Sequence, residues 1–324
     1  MLLTAYYFMG QDLCTVRRHI RDDLAWMVDA GTDSVAIGIH EFQLDYGHQQ
    51  QLDILFDEAE RVGLAVHAIP SRWAGLVAGW PSAAGRFAAT HPDSWMRDAD
   101  GTPSFRTFCG GALCSIYDPA TKAFFLDAID RMLSAWPVKG LIWDEIKVLH
   151  EEDHSKHARE TLGEPAKGKV QVQHAVDFFS QASRFARGKR TKLIISCFVY
   201  AYLPDDILDA CASIDELDYF GIDGRCWPDK DPKTKVLFGN MSRARAACAK
   251  HDVGSLALIE TQTMKGGEAQ RTIAHLPAFL EQPVDHLLYY YHGACREDED
   301  FCMDSMKPLL KKWRERSHPR RTSR

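Results

Sequence analysis

The sequence predicts an α/β fold, a (β/α)8 (TIM) barrel, on three observations. Eight short apolar runs, rich in β-branched and aromatic residues, alternate along the 324 residues with segments of helical periodicity. Each run is typical of a strand buried on both faces, as in a parallel sheet covered by helices. No G-x-G-x-x-G or Walker sequence occurs, which argues against a doubly wound open sheet. Eight β/α units therefore favour a closed barrel.

The elements follow one another in strict alternation. The predicted strands are LLTAYYFM (2–9), SVAIGIHE (34–41), LAVHAIPS (64–71), KGLIWDE (139–145), TKLIISCFV (191–199), ELDYFGID (216–223), GSLALIET (254–261) and DHLLYYYH (285–292). The predicted helices lie near 15–31, 50–63, 118–136, 173–188, 203–213, 242–252, 269–282 and 303–316. We expect one catalytic barrel domain over residues 1–316 and a basic, mobile tail over 317–324.

Two connections are longer than the others. The third strand is followed by a loop from Arg72 to Asp118, and the fourth by a loop from Ile146 to about Lys167. Both belong to the C-terminal face of the barrel, which carries the active site in this architecture, so we expect walls or a lid over a pocket. Trp73 and Trp95 in the first loop suit the faces of sugar rings, and they equally suit small local cores.

Composition limits the other classes of function. The chain is 45% hydrophobic and 26% charged with a net charge of -6, which excludes a disordered protein and gives no general attraction to nucleic acid or anionic membranes. It has no run near the ~18 apolar residues of a membrane helix. The N-terminus lacks the pattern of a signal peptide, and the nine cysteines contain no C-x-x-C pair. We therefore expect a cytoplasmic protein with reduced thiols, and homo-oligomer formation stays open.

Polar side chains gather at the predicted strand ends. The acidic ones are Glu41, Asp144, Glu145, Asp223 and Glu260. Carboxylates crowded in a partly dry barrel mouth repel one another and must be protonated, paired or bound to a metal. Enzymes use such crowding, because two carboxylates with separated pKa values can cleave a glycosidic bond.

The pair Glu145 and Glu260 is the most specific of these signals. Their strands, the fourth and the seventh, lie on opposite sides of an eight-stranded barrel, so the two side chains are expected to face each other across the mouth. A separation of about 5 Å would fit a retaining double displacement. Because side chains alternate along a strand, only one of Asp144 and Glu145 is expected to face the pocket, and we expect Glu145.

These residues carry a resemblance to a known family. A barrel with one Glu ending strand four and another ending strand seven resembles the retaining glycosidases of clan A, and LALIETQ is similar to the nucleophile strand of its β-galactosidase-like members. Residues 91–147, with their Asp-x-Asp-Gly loop and their strand ending in Asp-Glu, resemble a set of glycosyl hydrolase sequences. The rest of the chain is similar only in architecture.

The resemblance implies that Glu145 is the general acid/base and Glu260 the nucleophile of a glycoside hydrolase acting on a carbohydrate. One position departs from the pattern, because clan A has Asn before the acid/base Glu and this chain has Asp144. A second assignment therefore stays open. In fucosidase-like and α-galactosidase-like barrels the nucleophile is an Asp ending strand four, which would make Asp144 the nucleophile and Asp223 the candidate acid.

Other residues at the strand ends and in the long loops are candidate substrate contacts. These are Tyr7, His40, Glu41, Arg72, Trp73, Trp95, Tyr200, Arg225, Gln262, Tyr291 and His292. Arg72 and Arg225 could bind an anionic sugar substituent or neutralise a neighbouring carboxylate. No cofactor is expected.

Two rival classes stay open. The carboxylates and His292 have the hard O/N character that Mg²⁺, Mn²⁺ or Zn²⁺ accepts, which would suit a metal-dependent sugar isomerase or hydrolase. Against a metal, the sequence contains no His-x-His or His-Glu-x-x-His pattern, and we expect none. A carbohydrate-binding barrel without chemistry would keep the aromatic residues but has no need of opposed carboxylates.

Overall fold

The computed structural model describes residues 1–7, 16–45, 50–79, 85–106, 111–228, 236–262, 264–291 and 300–317. Eight parallel strands close into a barrel in which each strand pairs with its neighbours in the chain and the last pairs with the first. The strands are β1 Leu2–Tyr7, β2 Ser34–His40, β3 Ala65–Ser71, β4 Gly140–Asp144, β5 Ile194–Tyr200, β6 Tyr219–Gly224, β7 Gly254–Ile259 and β8 His286–Tyr291. The predicted fold class and its eight strands are confirmed.

Helices surround the barrel. In the described part of the chain the α-helices are α1 Arg17–Asp29, α2 Glu41–Asp45, α3 Gln50–Val62, α4 Arg86–Thr90, α5 Pro119–Ala135, α6 Lys156–Leu162, α7 Gly168–Lys189, α8 Asp205–Ala212, α9 Met241–His251, α10 Glu268–Phe279 and α11 Lys307–Ser317. The long loop after β3 contains α4 and a two-stranded antiparallel pair, Phe105–Arg106 with Gly111–Ala112. The loop after β4 contains α6.

Because side chains alternate along each strand, the apolar core has two parts, one inside the barrel and one between the strands and the helices. Residues such as Ile69, Ile142 and Phe198 pack together inside the barrel. Their neighbours in the sequence, such as Trp143 and Cys197, pack in a larger cluster between the strands and the helices. Both faces of the sheet are therefore dry, which explains why the strands read as continuous apolar runs.

The long loop after β3 is fastened to the end of β4. β3 and β4 are in register only at His67 with Gly140 and Ala68 with Leu141. Beyond this point the loop takes over the hydrogen bonding, since the Ala78 amide donates to the Asp144 carbonyl at 2.6 Å. The loop therefore lies against the C-terminal face, beside the carboxylates that end β4.

The described residues contain no candidate membrane helix, and five of their cysteines are free thiols. Across the described residues, no helix is both long and apolar enough to cross a membrane. Five described cysteines are buried free thiols: Cys114, Cys197, Cys211, Cys226 and Cys248. The predicted tail lies outside the described residues except for Ser317, the last residue of α11.

Candidate active site

Three carboxylates meet at the C-terminal end of the barrel. Asp223 lies in β6, Glu260 directly follows β7, and Glu145 directly follows β4. Glu145, Asp223 and Glu260 each offer an oxygen, and these oxygens lie within 4.8 Å of one another. Asp223 and Glu260 are buried and Glu145 is half-buried, so the three charges interact in a partly dry mouth.

Asp144 and Glu145 both turn toward the barrel mouth, so the expectation that only one of them would is wrong. Asp144 occupies an inward position of β4, two residues after Ile142. Glu145 would face the helices if the strand continued, but its backbone adopts a left-handed conformation with φ 45°. This conformation costs a non-glycine residue about 1–3 kcal/mol, and it ends the alternation at this position.

Asp144 is held by a hydrogen bond from a tyrosine. The Tyr6 hydroxyl donates to Asp144 Oδ2 at 2.6 Å, and Asp144 is only 5% exposed. Burial raises the pKa of Asp144, and the charge of neighbouring Glu145 raises it further. Asp144 therefore resists ionisation more than an ordinary aspartate.

A lysine pairs with Glu145. The Lys147 ammonium donates to Glu145 Oε2 and to the Tyr200 hydroxyl, the latter at 2.5 Å. Tyr200 stacks on Tyr202 with 5.2 Å between ring centroids. A hydrogen bond between an ammonium and a carboxylate is charge-assisted and therefore fixes the position of the Glu145 side chain. Lys147 was not among the residues selected from the sequence, because it lies in a short 3₁₀ segment rather than at a strand end.

Arg225 holds the backbone at the end of β7. Its guanidinium donates to the Glu260 carbonyl at 2.7 Å and to the Gln262 carbonyl at 2.8 Å, and it lies 3.7 Å from Glu268. The arginine predicted as a substrate contact therefore has its donors engaged inside the protein. It fixes the chain that presents Glu260.

The tyrosines that face the barrel interior are not the ones predicted as substrate contacts. Tyr7 and Tyr291, predicted as substrate contacts, face outward, where both hydroxyls donate to Asp23 of α1 at 2.6 and 2.7 Å. Tyr6 and Tyr290 face inward, with their rings 4.9 Å apart. Because side chains alternate along a strand, every second residue from a known interior residue also faces the interior. The sequence alone does not identify the interior residues here, since both faces of the strand are buried and both tyrosines are buried with them.

Two other predicted contacts are structural. Glu41 begins α2, and its carboxylate accepts from the amides of Ala74 at 2.9 Å and Phe87 at 2.5 Å, while burial raises its pKa to about 7. Trp73 is fully buried, and its indole donates to the Ile39 carbonyl at 2.8 Å. Both side chains are buried and hold the protein's own backbone.

The remaining candidates differ in position. Trp95 is half-buried and its indole donates to the Ala88 carbonyl at 2.6 Å, so the ring packs against α4. His40 ends β2 and stacks on Phe42 at 5.2 Å. Gln262 is half-buried beyond β7. His292 lies outside the described residues.

Comparison with known proteins supports the fold class and leaves the family open. No protein-family model matches the chain, and no curated protein matches it. Its structure is similar to that of a β-galactosidase from Bacillus circulans sp. alkalophilus, with a TM-score of 0.62 and 10% sequence identity. The match covers 97% of this chain and 55% of the galactosidase, so the chain spans about half the length of that protein. The two proteins therefore share the barrel fold.

Proposed function

We propose that the protein is a retaining glycoside hydrolase with Glu260 as nucleophile and Glu145 as general acid/base. The observation that carries the proposal is the approach of the Glu145 and Glu260 carboxylate oxygens to within 4.8 Å at the barrel mouth. Retaining glycosidases need about 5–5.5 Å between the two carboxyl groups, and inverting enzymes need about 6.5–9.5 Å to admit a water molecule. The measured approach favours double displacement.

In this mechanism the Glu260 carboxylate attacks the anomeric carbon while Glu145 gives a proton to the leaving oxygen. A glycosyl ester on Glu260 results, and the ionised Glu145 then removes a proton from water. The water oxygen attacks the anomeric carbon and breaks its bond to Glu260, which leaves Glu260 as a carboxylate and Glu145 protonated. Arg225 supports the first step by fixing the Glu260 backbone. Asp223, within 4.8 Å of both glutamates, adds a third carboxylate to the pocket in which the proton is transferred.

Lys147 suits the second half of the reaction. Once Glu145 has lost its proton, the ammonium bonded to Oε2 stabilises the carboxylate that acts as base. Opposing influences from Lys147 and from the crowded carboxylates allow one group to serve as acid and then as base. Such balancing is how glycosidases adapt carboxyl groups to two roles.

The first test is substitution of the two glutamates, assayed on a panel of activated aryl glycosides. We expect Glu260→Gln to lower kcat by at least about 10⁴-fold, because the amide cannot form the ester. Glu145→Ala should lower it by roughly 10²–10⁴-fold, and azide should restore turnover by entering the vacated space and forming a glycosyl azide. The exposed helix variant Glu60→Gln serves as control and should behave as wild type.

A trapping experiment separates the two carboxylate assignments. A 2-deoxy-2-fluoro glycoside with a good leaving group slows hydrolysis of the ester, so peptide mass spectrometry identifies the nucleophile. A label on Glu260 agrees with the proposal. A label on Asp144 would replace it by the assignment with Asp144 as nucleophile and Asp223 as acid. Unchanged activity in both glutamate variants would refute the carboxylate-pair mechanism.

A metal-dependent hydrolase or isomerase is a second candidate, favoured by the same carboxylate cluster. Three oxygens within 4.8 Å could ligate a hard divalent cation such as Mg²⁺ or Mn²⁺. The Lys147 ammonium already bonds to a Glu145 oxygen, so a cation would have to compete with it. Loss of activity on chelation and recovery with a divalent ion would support this candidate. Saccharide binding without any turnover would instead indicate a non-catalytic barrel.

A further inference from the structure

Arg72 interrupts the alternation of its strand in the same way as Glu145. It directly follows Ser71, the last residue of β3, and adopts a left-handed conformation with φ 61° and ψ 17°. Ser71 is an inward position, two residues after Ile69, so a regular strand would turn Arg72 toward the helices. Neighbouring strands β3 and β4 therefore each end in a strained residue that interrupts the alternation. Strain of this kind gathers at functional sites.

The Arg72 guanidinium is buried with its donors unused. Arg72 is 7% exposed, and its Nε and Nη1 atoms have no hydrogen-bond partner. The other cations near the mouth that the structure describes have partners, since Lys147 bonds to Glu145 and Arg225 bonds to two carbonyl oxygens. A buried guanidinium without acceptors is costly, so the site is arranged for a group that supplies them.

Neutralisation of Asp144 does not account for this arrangement. The charge of Arg72 offsets part of the rise that burial causes in the pKa of Asp144 and of Tyr6, so the guanidinium interacts electrostatically with both residues. Yet Asp144 Oδ2 accepts its hydrogen bond from Tyr6 at 2.6 Å. The charge of Arg72 can partly neutralise Asp144 without a hydrogen bond between them, but the N–H groups of Arg72 then have no acceptor. A bound oxyanion would provide acceptors for these N–H groups.

We propose that Arg72 binds a monoanionic substituent of the substrate sugar, a uronate carboxylate or a sulfate ester. This proposal rests on the proposed function and names its substrate class. The net charge of the mouth limits the charge of the anion that can bind. Four carboxylates lie at this end of the barrel, Asp144, Glu145, Asp223 and Glu260, and the cations are Arg72, Lys147 and Arg225. A dianionic phosphate would meet stronger repulsion than a monoanion.

The test compares matched pairs of 4-nitrophenyl glycosides that differ only in the acidic group. The pairs are β-D-glucuronide with β-D-glucoside, β-D-galacturonide with β-D-galactoside, and 6-sulfo-β-D-galactoside with β-D-galactoside. We expect the wild type to have the higher kcat/KM on at least one acidic member. Arg72→Gln should reduce that preference by roughly 10- to 100-fold, the effect of a lost charge-assisted hydrogen bond, while the neutral member changes little.

Two variants act as controls. Arg72→Lys keeps the charge but not the planar fork, so it should retain part of the preference. Arg245→Gln removes a half-buried arginine on α9 outside the barrel and should match the wild type. A wild type that prefers every neutral member would overturn the proposal. So would an equal loss on both members in Arg72→Gln.

A binding measurement tests the anion site without requiring that the protein hydrolyse a glycoside. Calorimetry would titrate D-glucuronate, D-galacturonate and inorganic sulfate, with D-glucose and D-galactose as neutral partners, into the wild type and Arg72→Gln. Selective binding of an anion that Arg72→Gln abolishes supports the anion site even if no glycoside is hydrolysed and the proposed function fails. Hydrolysis of neutral glycosides alone, with no selective anion binding, would refute the anion site and leave the hydrolase proposal standing.

Discussion

The two tyrosines that end β1 serve different carboxylates on opposite sides of the strand. Tyr6 points into the barrel and donates to Asp144, while Tyr7 points outward and donates to Asp23. Both are buried and both hydroxyls lie 2.6 Å from their acceptors, so they form an unusually well matched pair. Only their side of the sheet differs, and that difference decides which one can influence the proposed chemistry.

Removing each hydroxyl in turn separates stability from activity. Tyr6→Phe and Tyr7→Phe should each lower the free energy of unfolding by about 1–3 kcal/mol, because each removes a hydrogen bond to a carboxylate. Only Tyr6→Phe should also lower kcat, since Asp144 adjoins Glu145. Denaturant unfolding and aryl glycoside turnover measure the two effects. An equal loss of kcat in Tyr7→Phe would show that the inward position carries no special role.

At the scale of elements, one buried carboxylate organises the long loop after β3. Glu41 lies at the start of α2, and its oxygens accept from Ala74 and Phe87, which lie in different parts of the loop. Gly85 permits this approach, because a Cβ atom there would lie 2.4 Å from Glu41 Oε1. The sequence predicted the loop and its face correctly. It could not identify Glu41 as the anchor, since hydrogen bonds over such sequence distances leave no local pattern.

Substitution of Glu41 should loosen that loop. Glu41→Ala removes the acceptor of two buried amides and should destabilise the protein by roughly 1–3 kcal/mol for each amide that stays unsatisfied. Limited proteolysis should then cut within residues 72–90 faster than in the wild type. Glu60→Ala, at an exposed position of α3, is the control and should be neutral. Wild-type protease resistance in Glu41→Ala would contradict the anchoring role.

The sequence predicted the eight strands more successfully than the site at their ends. Continuous apolar runs mark strands buried on both faces, and glutamates at their ends point to a mouth. Because both faces of each strand are buried, the sequence does not show which side a residue faces. The predicted contacts Tyr7 and Tyr291 face outward for this reason, and Tyr6 and Tyr290 face inward. The left-handed turn at Glu145 depends on the bonds made by the loops around it, which periodicity does not record.

At the scale of the whole molecule, the two ends of the barrel interior differ in chemistry. Carboxylates gather at the C-terminal end, apolar side chains fill the middle, and a polar layer lies at the N-terminal end. In that layer Thr4 bonds to Ser34 at 2.6 Å and to His286 at 2.8 Å, and His67 lies 6.1 Å from His286 between ring centroids. Residues at this end of such a barrel contribute to stability, whereas those at the other end carry chemistry.

His67 should therefore make the barrel sensitive to acid. It is fully buried, neither ring nitrogen has a hydrogen-bond partner, and burial lowers its pKa from 6.5 to about 4. The unfolded chain takes up a proton near pH 6.5 but the folded chain does not, so the free energy of unfolding falls as the pH drops from 6.5 toward 4. A shift of this size corresponds to a loss on the order of 3 kcal/mol.

We expect His67→Leu to show a shallower pH dependence of the free energy of unfolding in denaturant, because the leucine side chain cannot be protonated. His19→Leu, at an exposed position, should keep the wild-type slope. Equal slopes in His67→Leu and the wild type would assign the acid sensitivity to other groups, of which buried His286 is the first to examine, since burial lowers its pKa as well.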